Sequence, residues 1–287
     1  MARKTGLAGT RAVVTARELE STLRRLGVRE GGTLLLHASL APLGYVVHGV
    51  DAVRMVLARV LGPQGTLLVP TFTGEKTDPS CWVDPALPER LWDEAREATP
   101  LYDPRRTLPR SMGQLALSVL MDPDCERSSH PLVSYAAVGP RAAELVAEHS
   151  LGDPHGPHSP LGKALELDAE VLLLGVDQTR NSALYLAQCL TDLPQVRGRR
   201  APFLASVDGE RRWVEPERLP VCSEGFGRIE DELVARGLMR CGRVGDATAR
   251  LMRMEPLIAF LQDHLRLWPQ AVDCQRDGCP QCVPASA

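Results

Sequence analysis

The chain has 287 residues, of which 44% are hydrophobic and 24% are charged, and its formal net charge at pH 7 is -3. A chain of this size can bury a substantial core, and its weak net charge excludes the general basic surface that nucleic acids or anionic membranes bind. No apolar segment approaches the roughly 20 residues of a membrane span, and no signal-peptide region opens the chain, so we expect a cytoplasmic protein.

The first part of the chain alternates predicted helices with predicted strands. Thr15 and Glu18 form a capping box at the start of a helix, and the apolar run at residues 31–40 predicts a strand that is buried on both faces. A helix over residues 50–61 and a strand over residues 66–72 repeat the pattern. This order predicts an α/β fold with a right-handed crossover, and ligands usually bind at the carboxyl ends of such strands.

The rest of the chain is less regular. Residues 74–113 are rich in proline and tryptophan, which predicts a long ordered excursion over the sheet. The later predicted elements are helices near residues 112–121 and 140–149, a strand at 171–176, a helix at 181–189, a hairpin that turns at Asp208 and Gly209, and helices near 226–236 and 247–267.

The loop after the first predicted strand has the features of an anion site. It reads HASLAPLGYVVHGV, so that His37 and Ser39 end the strand and Gly49 opens the next helix. The free N–H groups and the dipole of a helix N-terminus favour a negatively charged ligand. The spacing is neither a P-loop nor a dinucleotide fingerprint. On its own, the segment is explained better as a loop with ordinary turn glycines.

Several strings occur along the chain in a characteristic order: HASL and VVHGV, LGPQGTLLVPTFT, YDPRRTLPRSMG, SSHPLVSYAAVG, SPLGKALEL and VLLLGV. Together they resemble the aminoglycoside 3-N-acetyltransferases, an antibiotic acetyltransferase family that is structurally separate from the GNAT acetyltransferases. The resemblance implies a central mixed sheet flanked by helices with a small late hairpin, in one domain over residues 1–270, followed by a cysteine-rich tail over 271–287. It also implies transfer of an acetyl group from acetyl-CoA, or of another acyl group from its acyl-CoA, to an amine of an aminoglycoside or similar natural product.

The resemblance places the acyl-CoA against the anion-site loop and the strands that follow. Arg110 would pair with a phosphate, and the small Gly113 would let the chain approach the pantetheine arm closely. A surface ion pair is the alternative for Arg110. The residues expected to bind the cofactor are His37, Ser39, Val47, His48, Gly49, Thr71, Arg110, Ser111, Met112 and Gly113.

Candidate substrate and catalytic residues lie in the later loops. Glu75, Asp78 and Asp103 would attract a cationic amine by charge complementarity, and Asn181 is a further candidate for substrate binding. His130 precedes a proline, which fixes an extended backbone and presents the imidazole rigidly. This histidine is either catalytic or structural.

The stretch NSALYLAQC, residues 181–189, is the most informative departure from the family. As a helix it places Tyr185, Gln188 and Cys189 on one polar face with Asn181. In family members this helix resembles NTSLHLAE, in which the histidine accepts the proton of the attacking amine and the glutamate orients the imidazole. Tyrosine, with a pKa near 10, is a poor base at neutral pH, and glutamine cannot balance an imidazolium.

Three explanations of this change remain open. The acceptor amine is already deprotonated at neutral pH, so that positioning suffices; or Cys189 accepts the acyl group; or catalysis is lost and a CoA-binding or ligand-binding protein remains. We favour an acyltransferase with an altered catalytic centre, because the cofactor segments are intact.

The tail DCQRDGCPQC places Cys274, Cys279 and Cys282 in C-x4-C-x2-C spacing, which is typical of a zinc site. A closed tetrahedral site needs a fourth ligand, and the candidates are Cys222, Cys241, His264 or a residue of a second chain in a homodimer. Free or redox-active thiols are the alternative.

Overall fold

The computed structural model describes residues 11–74, 76–82, 85–193, 201–220, 222–276 and 279. Its strands are β1 (Val13–Val14), β2 (Thr33–Ala38), β3 (Tyr45–Val46), β4 (Thr66–Pro70), β5 (Glu126–Arg127), β6 (Tyr135–Val138), β7 (Glu170–Leu174), β8 (Phe203–Val207), β9 (Glu210–Val214), β10 (Met239–Val244) and β11 (Ala247–Arg253). Its helices are α1 (Ala16–Leu26), α2 (Gly49–Leu61), α3 (Trp92–Ala98), α4 (Gly113–Leu120), α5 (Ala142–Val146), α6 (Pro160–Glu166), α7 (Ala183–Thr191), α8 (Glu230–Ala235) and α9 (Met254–Leu267). None of these helices is long and apolar enough to cross a membrane.

The main sheet has seven strands in the spatial order β10-β11-β7-β2-β4-β6-β5. The central strand β2 pairs in parallel with β4 on one side and with β7 on the other, whereas β6 and β11 run antiparallel to their neighbours. The predicted mixed sheet is confirmed. Because the strand that follows β2 in the sheet, β4, lies on one side of it and the later strand β7 lies on the other, the carboxyl ends of these three parallel strands border a crevice, which is where α/β sheets bind ligands.

Helices cover both faces of the sheet, as the continuous apolar strands require. Leu34 and Leu36 of β2 pack in one core cluster with Leu23 of α1, whereas Leu35 packs in a second cluster with Leu261 of α9. Side chains alternate along a strand, so His37 lies on the same face as Leu35. This alternation directs the imidazole toward α7.

The late hairpin forms as predicted. β8 pairs antiparallel with β9, with Val207 opposite Glu210. The turn residues Asp208 and Gly209 have φ of 54° and 83°, which is the left-handed region that two-residue hairpin turns need.

The helix predicted over residues 247–267 is wrong in its first half. Residues Ala247–Arg253 form β11, and the helix begins at Met254. β11 is inserted between β10 and β7, and its Ala249 and Leu251 are buried on one face of the sheet. The sequence signal for this strand is the turn Gly245-Asp246, in which the glycine has φ of 55° and reverses the chain after β10.

The excursion over residues 74–113 is ordered where the structure describes it, and Arg127 of β5 fastens it to the sheet. The Arg127 guanidinium donates to the Thr71 carbonyl at 2.8 Å, to the Thr71 hydroxyl at 3.0 Å and to the Pro104 carbonyl at 3.2 Å. Five N–H donors in a fixed fork make arginine suited to joining three segments in this way.

Candidate functional site

A cavity of about 830 Å³ opens at the carboxyl ends of β2, β4 and β7. Its lining comes from the end of β2 and the loop that follows, the starts of α2 and α4, and the turn that leads into α7. The volume lies within the range of roughly 300–1,000 Å³ that small-molecule and cofactor sites occupy.

One side of the cavity, which we name the helix-terminus wall, is formed by Ser39, Gly49, Ser111, Met112 and Gly113. Helices α2 and α4 both begin here, and neither has a side-chain N-cap within the described residues, so their first backbone N–H groups are not satisfied by a cap. Ser111 and Gly113 have φ of 57° and 79°. The wall is therefore built of small residues and helix N-termini, an arrangement that favours anions.

A second part of the lining, which we name the aromatic wall, is formed by Tyr185 with two rings packed against it. Tyr185 lines the cavity and is only 8% exposed. Its ring stacks on His155 with centroids 4.8 Å apart and an interplanar angle of 23°, and Phe226 meets it edge-on at 5.2 Å. These contacts fix the phenol ring at the start of α7.

His37 is the one histidine among the described residues that lines the cavity. Its Nε2 accepts the Ser182 backbone N–H at 3.3 Å and lies 3.2 Å from the Ser182 hydroxyl. Burial lowers the pKa of His37 to about 3. The imidazole is thus neutral at pH 7, and its accepting nitrogen is already engaged by the N-terminus of α7.

The fold and the cavity match one family of known proteins. The family model described as aminoglycoside 3-N-acetyltransferase matches residues 35–266. This chain belongs to the aminoglycoside 3-N-acetyltransferase family. The family's enzymes transfer acetyl groups, which agrees with the resemblance seen in the sequence.

Individual relatives cover most of the chain. It is 33% identical over 249 residues to the SPbeta prophage-derived aminoglycoside N(3')-acetyltransferase-like protein YokD of Bacillus subtilis, covering 86% of this chain and 91% of the relative. It is 34% identical over 264 residues to aminoglycoside N(3)-acetyltransferase VII of Streptomyces paromomycinus, covering 86% and 90%. The crystal structure of YokD superposes with a TM-score of 0.83, at 30% identity and with 92% and 97% of the two chains covered.

Two further structures of the same fold hold ligands. AAC-IIIb in a binary complex with CoASH matches with a TM-score of 0.75 at 26% identity, over 89% of this chain and 97% of that one. The sisomicin-bound AAC-VIa matches with a TM-score of 0.73 at 26% identity, over 88% and 98%.

Six of the ten expected cofactor residues of this family member line the cavity: His37 and the five residues of the helix-terminus wall. The other four do not. Thr71 is buried, and its hydroxyl donates to the Ser134 carbonyl at 3.0 Å. The Val47 N–H is bonded to the Val14 carbonyl, and His48 and Arg110 point to the exposed surface rather than lining the cavity. The direct cofactor contact expected of Thr71 is therefore corrected, whereas the contacts expected of Val47, His48 and Arg110 stay predictions.

His130 is also placed differently from the catalytic expectation. It is fully buried outside the cavity lining, and its Nδ1 accepts the backbone N–H groups of Leu132 and Val133 at 3.1 and 3.2 Å. Its ring lies 4.8 Å from that of His149, and burial lowers the pKa of His130 well below its ordinary value. The position is structural, which is the second of the two alternatives stated from the sequence.

Gln188 and Cys189 stand on α7 beyond Tyr185 and do not line the cavity. Cys189 is 1% exposed, and burial raises the pKa of its thiol far above the ordinary value. An acyl acceptor must be a reachable thiolate, so the nucleophile expectation for Cys189 is corrected. Gln188 is buried, and its Oε1 has no hydrogen-bond partner among the described residues, which costs about 1–3 kcal/mol of stability.

The expected acidic substrate site is not assembled by the described residues. Asp78 is buried in an ion pair with Arg96, with 2.7 Å between Oδ2 and Nε, and Asp103 accepts the Arg105 N–H in a local turn. Burial alone would raise the pKa of Asp78, but hydrogen bonds from Arg96 and Ser80 outweigh it, and the pKa is lowered. Glu75 lies outside the described residues.

Asn181 is buried as well, and its amide is used inside the protein. Its Nδ2 donates to the Gln178 side chain at 2.8 Å, and its Oδ1 accepts the Ala183 N–H at 3.1 Å. The side chain shapes the turn before α7, which corrects its assignment as a substrate contact.

Two residues of the site were not predicted from the sequence: Arg180 lines the cavity, and His155 packs on Tyr185 outside the lining. His155 is 1% exposed behind Tyr185, with a pKa lowered to about 3 by burial, and its Nδ1 has no hydrogen-bond partner among the described residues. Arg180 lines the cavity and is exposed, and its side chain forms no hydrogen bond or ion pair with any described residue. In the sequence, Arg180 is visible only as a polar turn residue before α7.

Away from the cavity, the structure brings Cys222 to Cys274 and Cys279, with all three Sγ atoms within 4.8 Å of one another. Cys282 lies outside the described residues. Cys241 is exposed and His264 faces Glu232 at 3.6 Å, so neither belongs to this group of thiols.

Proposed function

We propose that this family member transfers an acyl group from an acyl-CoA, acetyl-CoA in the first instance, to an amine that is uncharged at neutral pH. Membership of the acetyltransferase family and the CoASH complex of the related AAC-IIIb support the transfer and the donor. The chemistry of the cavity supports the choice of acceptor.

The helix-terminus wall is the proposed site of the acyl-CoA. Two uncapped helix N-termini and the hydroxyls of Ser39 and Ser111 offer hydrogen bonds to the phosphates and the pantetheine arm. Gly113 leaves space beside the end of β2, since the nearest atom to a side chain built there is the Ala38 carbonyl oxygen at 3.9 Å. Acyl-CoA binding to these residues is compatible with every contact described for the wall.

The single observation that carries the choice of acceptor is that the described lining offers no base. His37 is neutral with its accepting nitrogen occupied, Tyr185 is a phenol, and none of the described lining residues is a carboxylate. A protonated amine would have to lose its proton before attack, whereas an uncharged amine needs only to be positioned.

The proposed reaction balances without a protein base. The nitrogen lone pair attacks the thioester carbonyl carbon, a C–N bond forms and the C–S bond breaks. CoA leaves as the thiolate, which takes up the proton released from nitrogen. The protein supplies orientation between the two walls, and Tyr185 forms the side of the pocket against which the acceptor packs.

The test is the release of CoA thiol from acetyl-CoA with two classes of amine. An aromatic amine or hydrazide, which is uncharged above about pH 6, should give a kcat/KM that is flat from about pH 6.5 to 9. An aminoglycoside amine should react slowly at pH 7 and gain about tenfold per pH unit up to its own pKa, since only its free-base fraction reacts.

A variant of the helix-terminus wall is the matched control. In Gly113→Val a branched side chain is forced onto a backbone with φ of 79°, so turnover of both amines should be lost while the aromatic wall is untouched. Turnover of an aminoglycoside at pH 7 that equals that of the aromatic amine would overturn the uncharged acceptor. CoA binding without turnover of any amine would instead establish a non-catalytic CoA-binding or ligand-binding protein of the same fold.

A further inference from the structure

Two thiols close together in sequence, those of Cys274 and Cys279, meet the thiol of Cys222 from the loop before α8. The Sγ atoms of Cys222 and Cys279 are 3.9 Å apart, and that of Cys274 completes a group in which every pair lies within 4.8 Å. Two thiolates on one tetrahedral zinc ion, at about 2.3 Å each, are about 3.8 Å apart. A disulfide would bring its sulfur atoms to about 2.05 Å. The observed spacing matches ligands that share a metal.

The backbone around the thiols forms the turn that such a site needs. The Arg276 N–H donates to the Cys274 sulfur at 3.4 Å, and the Cys279 N–H donates to the Arg276 carbonyl at 3.2 Å. Backbone N–H groups that point at sulfur offset the negative charge of a thiolate and orient it. Cys279 is 4% exposed, so a metal at this place is shielded from water on that side.

We propose that Cys222, Cys274 and Cys279 bind a zinc ion. Three thiolates select a soft or borderline metal, and zinc is the one that structural cysteine-rich sites hold most often. Cys222 comes from a different part of the chain, so the ion joins two segments.

The two joined segments include part of the active cavity. Ser223, next to Cys222, lines the cavity, and Phe226 packs on Tyr185 at 5.2 Å. The tail lies directly on this loop, since a side chain at Gly225 would come within 2.1 Å of the Val272 carbonyl oxygen. The zinc ion is thus a structural ion that holds the loop behind the aromatic wall, and its binding does not depend on which amine is acetylated.

Metal analysis of the full chain purified under reducing conditions is the primary test. We expect one zinc ion per chain, less than about one tenth of this amount in Cys222→Ser and Cys279→Ser, and the full amount in the matched control Cys241→Ser, whose cysteine is exposed on β10. Wild-type protein without stoichiometric zinc, even after zinc is supplied, would overturn the proposal. Full zinc in both ligand variants would overturn it as well.

Wild-type protein provides a second measurement that does not depend on whether the variants fold. A strong chelator should remove the ion and lower Tm, and zinc should restore it. Cobalt in place of zinc should show the intense thiolate-to-metal absorption of a tetrahedral site with several sulfur ligands. Cobalt spectra without thiolate bands would overturn the ligand set.

One further outcome separates the metal site from a disulfide. Loss of two free thiols in unreduced protein, together with failure to bind zinc after reduction, would replace the metal with a disulfide between Cys222 and Cys279. All of these readouts are made without a substrate, so they stand apart from the test of acyl transfer.

Discussion

The two walls of the cavity differ in the size of their residues, in burial and in the hydrogen-bond donors that they offer. The helix-terminus wall consists of small residues and uncapped backbone N–H groups, with Ser111 and Gly113 in left-handed conformations. The aromatic wall consists of large, buried rings packed on one another, with Tyr185 between His155 and Phe226. The first wall can accept negative charge, and the second excludes charge of either sign because water has been removed from it.

Under the proposed function, this difference would let a member of the family keep its acyl-CoA site and change its proton chemistry. The helix-terminus wall favours an acyl-CoA through the backbone geometry at the starts of α2 and α4. Side-chain substitutions on α7 leave this geometry unchanged. The proton chemistry resides in a few side chains of α7, where Tyr185 and Gln188 stand in place of the histidine and glutamate that the family resemblance implies. On this proposal, altering that helix would change which amine reacts and would leave the helix-terminus wall in place.

The largest expected effect is a decrease in the free energy of unfolding in acid, to which three buried histidines contribute. The pKa values of His37 and His155 are lowered to about 3 and that of His149 to about 4, in each case by burial. Between pH 6.5 and these values the unfolded chain binds protons that the folded protein does not, so the free energy of unfolding falls as the pH falls. From pH 7.5 to 5 each histidine should remove about 2 kcal/mol, measured by urea unfolding.

A pair of histidine variants isolates this effect. His155→Asn should make the decrease between pH 7.5 and 5 smaller by about 2 kcal/mol, whatever its stability at pH 7.5. His158→Asn is the control variant, because that side chain is 70% exposed and lies apart from the buried histidines. If His155→Asn has the same pH dependence as the wild type, His155 is accessible to protons in the folded protein, and the contrast between the two walls is broken.

The next effect concerns proton chemistry on α7. In the double variant Tyr185→His with Gln188→Glu, an imidazole and a carboxylate stand where the family resemblance places them. A general base contributes about 10²–10⁴ to a rate, so acetylation of an aminoglycoside at pH 7 should rise at least about hundredfold. Tyr185→His alone should gain less, because an imidazole buried without a carboxylate has a low pKa, as His155 does. Steady-state release of CoA thiol measures both.

Tyr185→Phe distinguishes packing from chemistry at the same position. The ring contacts with His155 and Phe226 are kept and the hydroxyl is removed, so turnover of an uncharged amine should change by less than about tenfold. A loss of hundredfold or more would show that the phenol takes part in proton transfer, and the uncharged acceptor would no longer be required.

Much of the fold could be predicted because its signals are local. The apolar runs of β2 and β7 have the length and composition of buried strands, and Asp208-Gly209 fixes the hairpin turn whatever surrounds it. The sequence predicts a helix at β11 because the apolar residues of this segment fit the spacing of a helix as well as that of a strand. Its identity depends on pairing with β7, a contact between residues more than 70 positions apart.

The site could be predicted only in part, for a different reason. Ser39, Gly49 and Gly113 follow from strand ends and helix starts, which are visible in sequence. Thr71 was misplaced because the direction of a side chain after a strand is set by its partners, here Ser134. His155 was missed because nothing near it in sequence shows that its ring will stack on Tyr185.

The smallest expected effect is on the KM for acetyl-CoA. Variants of two arginines, Arg180 and Arg110, are compared. Arg180 lines the cavity with no described partner for its side chain, whereas Arg110 lies outside the lining. Arg180→Gln should raise the KM for acetyl-CoA about fivefold, equivalent to about 1 kcal/mol for an exposed charged hydrogen bond to phosphate, while Arg110→Gln should change it by less than twofold. The Arg180 effect should shrink in high salt, since exposed charges are screened. If Arg110→Gln has the larger effect, the phosphates lie toward the outer end of the helix-terminus wall, as the sequence motif first indicated, and Arg180 faces the acceptor instead.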